Sequence, residues 1–167
     1  MFRNYLTGFI LFFLPKTRCF KLKVALLNLV GCEIAQSARI TGDIKIYGRG
    51  KIIIGSNTWI GLGCHFYTSA GTSIVIGDNC DVAPEVVFHT GTHAQGGTHR
   101  RAGPGRSASI EIGNGSWVGL GAKLLSGAVV GSGSIVAAGA IVLGYSHLNN
   151  MMLAGTPARP VKELDAT

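Results

Sequence analysis

From Ile34 onward an apolar residue returns every sixth position, and that period admits very few folds. Ile34, Ile40, Ile46, Ile54, Ile60, Phe66, Ile76, Val82, Phe88, Ile112, Val118, Leu124, Val130, Val136 and Val142 make fifteen frame positions, all apolar. Four residues after most of them the chain is small, at Ala38, Thr58, Cys64, Ala70, Cys80, Thr92, Ser116, Ala122, Ala128, Ser134, Ala140 and Ser146, with Ile44 and Val86 as larger exceptions. Six residues suit a short strand and a turn, so three hexapeptides close an 18-residue triangular coil. The frame gives five coils, 34–51, 54–71, 76–93, 112–129 and 130–147, with two, four, eighteen and no residues between them. At about 4.8 Å per coil the prism is roughly 24 Å tall. The expected fold is all-β, a parallel β-helix in which each coil pairs its backbone with the next and only the two ends stay open.

Around this centre the 167 residues divide into an apolar, basic, helical segment (1–33), the β-helix domain (34–147) and a short C-terminal tail (148–167). Twenty-five glycines would signal disorder in a polar chain, but 47% hydrophobic content assigns them to repeated turns. Residues 5–14, YLTGFILFFL, are apolar over about half of the ~20 residues that a membrane span needs, and Pro15-Lys16 closes the run. LPKTRCF offers no small-residue cleavage site, so the segment is expected to stay in the mature chain. Thr17 suits an N-cap, Phe20, Val24 and Leu27 recur at helical spacing, and Gly31 suits a stop. Such a helix can cover one end of the prism. With Lys21 and Lys23 beside it, residues 1–30 also suit peripheral contact with an anionic membrane.

Fifteen Lys and Arg against eight Asp and Glu give a net charge of +7, and five of the cations, Arg3, Lys16, Arg18, Lys21 and Lys23, precede the first acid, Glu33. Positive charge suits a membrane surface or a phosphorylated small molecule. No recognisable RNA or DNA motif interleaves the basic residues, so nucleic acid is not an expected partner. Cys19, Cys32, Cys64 and Cys80 lack metal-type spacing, and Cys64 and Cys80 fall at inward positions. Reduced core thiols point to a reducing compartment, the cytoplasm or the inner face of the cytoplasmic membrane.

The frame is interrupted at length only once. After His93 an excursion, 94–111, leaves and rejoins it, carrying Gly96, Gly97, Gly103 and Gly105 together with His99, Arg100, Arg101 and Arg106. An insertion that leaves the frame undisturbed is a loop outside the prism, where function concentrates. Stacking also makes columns: Arg39, Trp59, Asp81, Trp117 and Ile135; Tyr47, Tyr67, His89, Leu125 and Leu143; Lys51, Gly71, His93, Val129 and His147. His93 then occupies a corner at the root of a glycine-rich flap, and histidine is the side chain most often used as a general base.

In order along the chain, IGDNCDVAP, TGTH, IGNGSWVGLGA, IVAAGAIV and AGTPARPVKE resemble the hexapeptide-repeat acetyltransferases, most closely their sugar and polysaccharide O-acetyltransferase branch, over about residues 34–164. The resemblance implies a left-handed β-helix, a homotrimer with active sites between subunits, acetyl-CoA as cosubstrate, no metal, and a saccharide acceptor in surface polysaccharide or lipid-linked saccharide synthesis. By position it implies His93 as the catalytic histidine, Trp117 lining the site, Leu120 and Ala138 along the pantetheine arm, and Arg159 and Lys162 near the nucleotide end. Leu143-Gly144 departs from the Thr-Lys that relatives often carry, which removes one expected coenzyme contact.

Transfer from a thioester to a hydroxyl needs a base for the hydroxyl proton and donors for the oxyanion. No nucleophile stands out, so direct transfer is expected over an acyl-enzyme. His65, His89, His99, Arg100 and Arg101 are candidate substrate contacts. Asp81 and Glu85 lie on other sides of the triangle, leaving either a backbone carbonyl or a carboxylate to orient His93. Other readings stay open: an amine acceptor on an amino sugar, a serine O-acetyltransferase, a zinc site built from His65, His89 and His93 as in hexapeptide-helix carbonic anhydrases, or a catalytically silent scaffold.

Overall fold

Three parallel sheets carry the repeat in the computed structural model, which describes residues 13–145 and 148–165. The first stacks β1 (Glu33–Ile34), β4 (Lys51–Ile54), β7 (Ser73–Ile76), β12 (Ile110–Ile112) and β15 (Val129–Val130). The second stacks β2 (Arg39–Ile40), β5 (Trp59–Ile60), β8 (Asp81–Val82), β13 (Trp117–Val118), β16 (Ile135–Val136) and β18 (Met151–Gly155), and adds β19 (Ala158–Glu163) at its end. The third stacks β3 (Lys45–Gly48), β6 (His65–Thr68), β9 (Val87–His89), β14 (Lys123–Leu125) and β17 (Ile141–Val142).

Register follows the six-residue frame on every side. Ile34, Ile54, Ile76, Ile112 and Val130 are successive partners. So are Ile40, Ile60, Val82, Val118 and Val136, and Ile46, Phe66, Phe88, Leu124 and Val142. All but Ile46 are buried. Phe66 and Phe88 stack with ring centres 5.0 Å apart. Cys64 and Cys80 are buried in the same core, as expected, and burial pushes the Cys64 thiol up to about 11.

The third corner departs from the expected frame. Ala70 and Thr92, inward in the expected frame, are exposed, while Thr68, Thr72 and Thr90 are buried there instead. The Thr72 hydroxyl donates to the Ser69 carbonyl at 2.8 Å and lies 2.9 Å from the Thr90 hydroxyl. The inserted residues fall at this corner, so a count carried past Phe66 or Phe88 loses its place. Lys51 consequently pairs with Ser73, and Val129 with Glu111, so the expected column through Gly71 and His93 does not form. Its last member, His147, lies outside the described residues, as do Ser146 and the apolar run up to residue 12.

The excursion is a hairpin. β10 (Gly91–Gln95) and β11 (Ala102–Ser107) pair antiparallel, and the Ala108 N–H donates to the Thr90 carbonyl at 3.0 Å, so its two ends meet. It therefore starts at Gly91 rather than 94. The chain is back in the first sheet by Ile110, which pairs with Ile74, two residues before the expected return.

Both ends of the prism are covered. α1 (Phe20–Leu29) packs Val24 and Leu27 into the core beneath β1 and β2. Asn28 mimics a strand neighbour: its Oδ1 accepts from the Ile34 N–H at 2.8 Å and its Nδ2 donates to the Ile34 carbonyl at 2.9 Å, satisfying the open edge. Gly31, at φ +102°, ends the helix as expected, with Gly31 and Cys32 N–H groups returning to the Asn28 and Leu27 carbonyls. The start differs from expectation: Cys19, at φ 55°, is the N-cap residue, and Thr17 lies before it. The cause is Lys23, whose buried ammonium donates to the Pro15 and Lys16 carbonyls at 2.8 and 2.7 Å and draws residues 15–19 into a turn. At the far end the expected tail is partly a further rung, because Leu153 pairs with Val136 in register and is fully buried. Among the described residues no helix is long and apolar enough to cross a membrane.

Candidate active site

His93 stands on β10, opposite Gly105 of β11, and its side chain is exposed. Its Nδ1 lies 2.9 Å from the Gly103 carbonyl oxygen. A carbonyl can only accept, so Nδ1 carries the proton in the neutral ring and the Nε2 lone pair faces away, available to a substrate proton. The orienting partner is thus a backbone carbonyl of the same hairpin. His99 and Arg100 sit at the hairpin's turn with Arg101 beside them, all exposed.

His65 and His89 project outward from the third sheet. His65 Nδ1 lies 3.2 Å from the Tyr67 hydroxyl, and burial together with the Lys45 ammonium holds its imidazole below the usual range. His89 Nδ1 donates to the Gly91 carbonyl at 2.8 Å, and the His89 ring leans on Tyr67, which stacks on Tyr47. The structure brings this face up to the root of the hairpin that carries His93. Among the described residues no three His, Cys, Asp or Glu side chains gather as a metal would need.

The second sheet carries a different constellation. Arg39, Trp59, Asp81, Trp117 and Ile135 are successive partners, as the column predicts. Trp59, Asp81 and Trp117 line a cavity of about 320 Å³ together with Thr17, Thr41, Gly61, Leu62, Ala83 and Pro84. Arg39 lies over the Trp59 ring at 5.8 Å and Phe20 meets it at 5.6 Å. Sequence reasoning recorded the column but missed the cavity, because Thr17 reaches it only through the Lys23 clamp.

Above that cavity the five expected coenzyme positions fall on one stripe. Trp117 is on β13, Leu120 and Ala138 occupy the adjoining corner one rung apart, and the Gly139 N–H donates to the Leu120 carbonyl at 2.8 Å. The corner is tight: a Cβ on Gly119 would stand 2.6 Å from the Ala138 amide nitrogen. Arg159 and Lys162 follow on β19, in the same sheet. Arg159 donates to the Tyr145 hydroxyl at 3.1 Å and lies over its ring.

Neither a protein-family model nor a curated protein matches the chain. Among solved structures, the polySia-specific acetyltransferase NeuO is 29% identical, with 79% of this chain and 56% of that one covered at a TM-score of 0.67. A galactoside acetyltransferase in complex with coenzyme A is 24% identical over 98% of this chain and 80% of that one, TM-score 0.68. AntD, an N-acyltransferase from Bacillus cereus solved with dTDP and coenzyme A, is 18% identical over 81% and 74%, TM-score 0.69. The fold is that of the hexapeptide-repeat acetyltransferases.

In this left-handed β-helix His93 and the stripe belong to different corners. The hairpin bearing His93 leaves between the third and first sheets, whereas Trp117, Leu120 and Ala138 line the second sheet and its corner with the third. One copy of the chain therefore presents the two halves on separate surfaces.

Proposed function

We propose that the protein is an acetyl-CoA-dependent acetyltransferase acting on a saccharide hydroxyl. The observation that carries this reading is the tautomer of His93, fixed by the Gly103 carbonyl so that Nε2 is free to take a proton. Nε2 removes the acceptor hydroxyl proton as its oxygen bonds to the thioester carbonyl carbon. The tetrahedral intermediate then breaks its carbon–sulfur bond, and the imidazolium returns the proton to the departing thiolate. The exposed corner of Leu120 and Ala138 offers a track for the pantetheine arm, and Arg159 and Lys162 offer cations for the nucleotide phosphates.

Because the two halves face different ways, the working unit is a homotrimer in which the His93 hairpin of one copy meets the stripe of the next. The acceptor belongs to a surface polysaccharide or its lipid-linked precursor, and residues 1–30 supply contact with the inner face of the cytoplasmic membrane. Arg18 in the turn before α1 and Lys21 in its first turn are both exposed, which supports that placement.

The decisive experiment incubates the protein with acetyl-CoA and a broad saccharide panel, following free thiol and product mass. Thiol release that depends on a saccharide, and a product labile to hydroxylamine, support an ester. A hydroxylamine-stable product from amino sugars moves the acceptor to an amine. Release that persists in the His93→Ala variant overturns the assignment of the base.

A further inference from the structure

We infer that the cavity on the second sheet seats one pyranose ring of the acceptor, and that Asp81 selects the ring's substituents by their charge. This rests on the saccharide reading above and assigns a residue that the reading leaves without a role.

The column places a short side chain between two large ones. Asp81 pairs with Trp59 on one side and Trp117 on the other. The two indoles therefore sit two rungs apart, about 9.6 Å along the prism axis, with one carboxylate between them. Trp59 is positioned by Phe20 and Arg39, while Trp117 stands 53% exposed. A pyranose ring has C–H groups on its faces and hydroxyls on its edge. Apolar aromatic walls suit the first, and a carboxylate, which accepts on both oxygens, suits the second.

Asp81 has capacity to spare. The ion pairs among the described residues, Lys16 with Asp43 and Lys51 with Glu33, use other acids. No hydrogen bond among the described residues engages the Asp81 carboxylate. The Thr17 hydroxyl at the lower lip adds a second polar group. In a chain of net charge +7, this is an acidic spot inside the cavity, and it repels a phosphate or a sugar carboxylate. The coenzyme's phosphates accordingly belong with Arg159 and Lys162, several rungs above. The ring seated here is neutral or carries an ammonium group.

The test uses isosteric probes: methyl galactoside, galactosamine and galacturonate, with the glucose series alongside. With the full-length protein, galacturonate should show a KM at least about tenfold above methyl galactoside, the scale of one charge-assisted hydrogen bond. Asp81→Asn should bring the three within about twofold while acetyl-CoA binding by calorimetry stays unchanged. Trp59→Leu should raise the KM of all three together. An Asp81→Asn enzyme that keeps the wild-type ranking overturns the inference and leaves the acetyltransferase reading standing. If no saccharide is acetylated, tryptophan fluorescence quenched by methyl galactoside at lower concentration than by galacturonate, with that difference erased in Asp81→Asn, still supports the subsite and removes only the reaction. Absence of both acetylation and quenching overturns both.

Discussion

The Nδ1 atom of His93 lies 2.9 Å from the Gly103 carbonyl oxygen, so the two strands of one hairpin set the tautomer of its imidazole. If His93 is the base proposed above, a backbone carbonyl orients it without a buried carboxylate behind it. Replacing His93 by Gln removes the proton acceptor and should lower kcat by at least about a hundredfold. The side chain is exposed, so thermal melting should shift by little. Thiol-release kinetics and a melting curve on the same sample check both halves.

The hairpin and the prism should prove separable. Thr90 and Ala108 meet through a 3.0 Å backbone hydrogen bond, so replacing residues 91–107 with a short glycine linker leaves the register of β9 and β12 intact. Circular dichroism and melting should remain close to wild type, because loop length costs little. Saccharide acetylation should vanish with His93. A variant that fails to fold would show that the hairpin is part of the core.

Gly119 tests the close stacking of the second corner. A Cβ there would meet the Ala138 nitrogen at 2.6 Å, and backbone cannot swing aside as a side chain can. Gly119→Ala should cost about 1–3 kcal/mol in denaturant unfolding. It should also raise the KM for acetyl-CoA, because the displaced corner is the proposed pantetheine track. Gly97→Ala, at a hairpin position where a Cβ meets nothing within 4 Å, is the matched control and should leave stability unchanged.

His65 should make the fold sensitive to acid. Its folded imidazole is held below the ordinary value of 6.5, by burial first and by Lys45 second. The unfolded chain therefore binds the proton more readily, and stability falls as pH drops through 6.5 toward the lowered folded value. Above 6.5 this contribution is flat. The melting temperature of wild type should decline over that window more than that of His65→Gln, and a parallel decline in both would remove His65 as the cause.

Most of the fold was legible because the inward positions of a β-helix repeat in sequence as they do in space. Ile34 through Val142 could be placed in register from period alone. The third corner was not legible, because Ala70 and Thr92 fit the small-residue rhythm while the chain had already left the frame. The period assigns His93 to a rung, when its place is on the hairpin. The sixth rung was hidden because the frame ends at Val142 on the third sheet and the second sheet gains its next strand only at Met151. The cavity was hidden for another reason: Thr17 and Asp81 are brought together by a lysine whose role, donating to two carbonyls, leaves no trace in periodicity.

The final strand, β19, runs opposite to its neighbour and carries Pro160, which has no N–H to offer. A stack of parallel rungs is otherwise a template that another copy could extend without limit, in the manner of a fibril. Reversal and a proline at one end, with α1 and Asn28 at the other, make the stack finite. Any contact between copies is left to the prism faces, where the hairpin and the stripe are displayed.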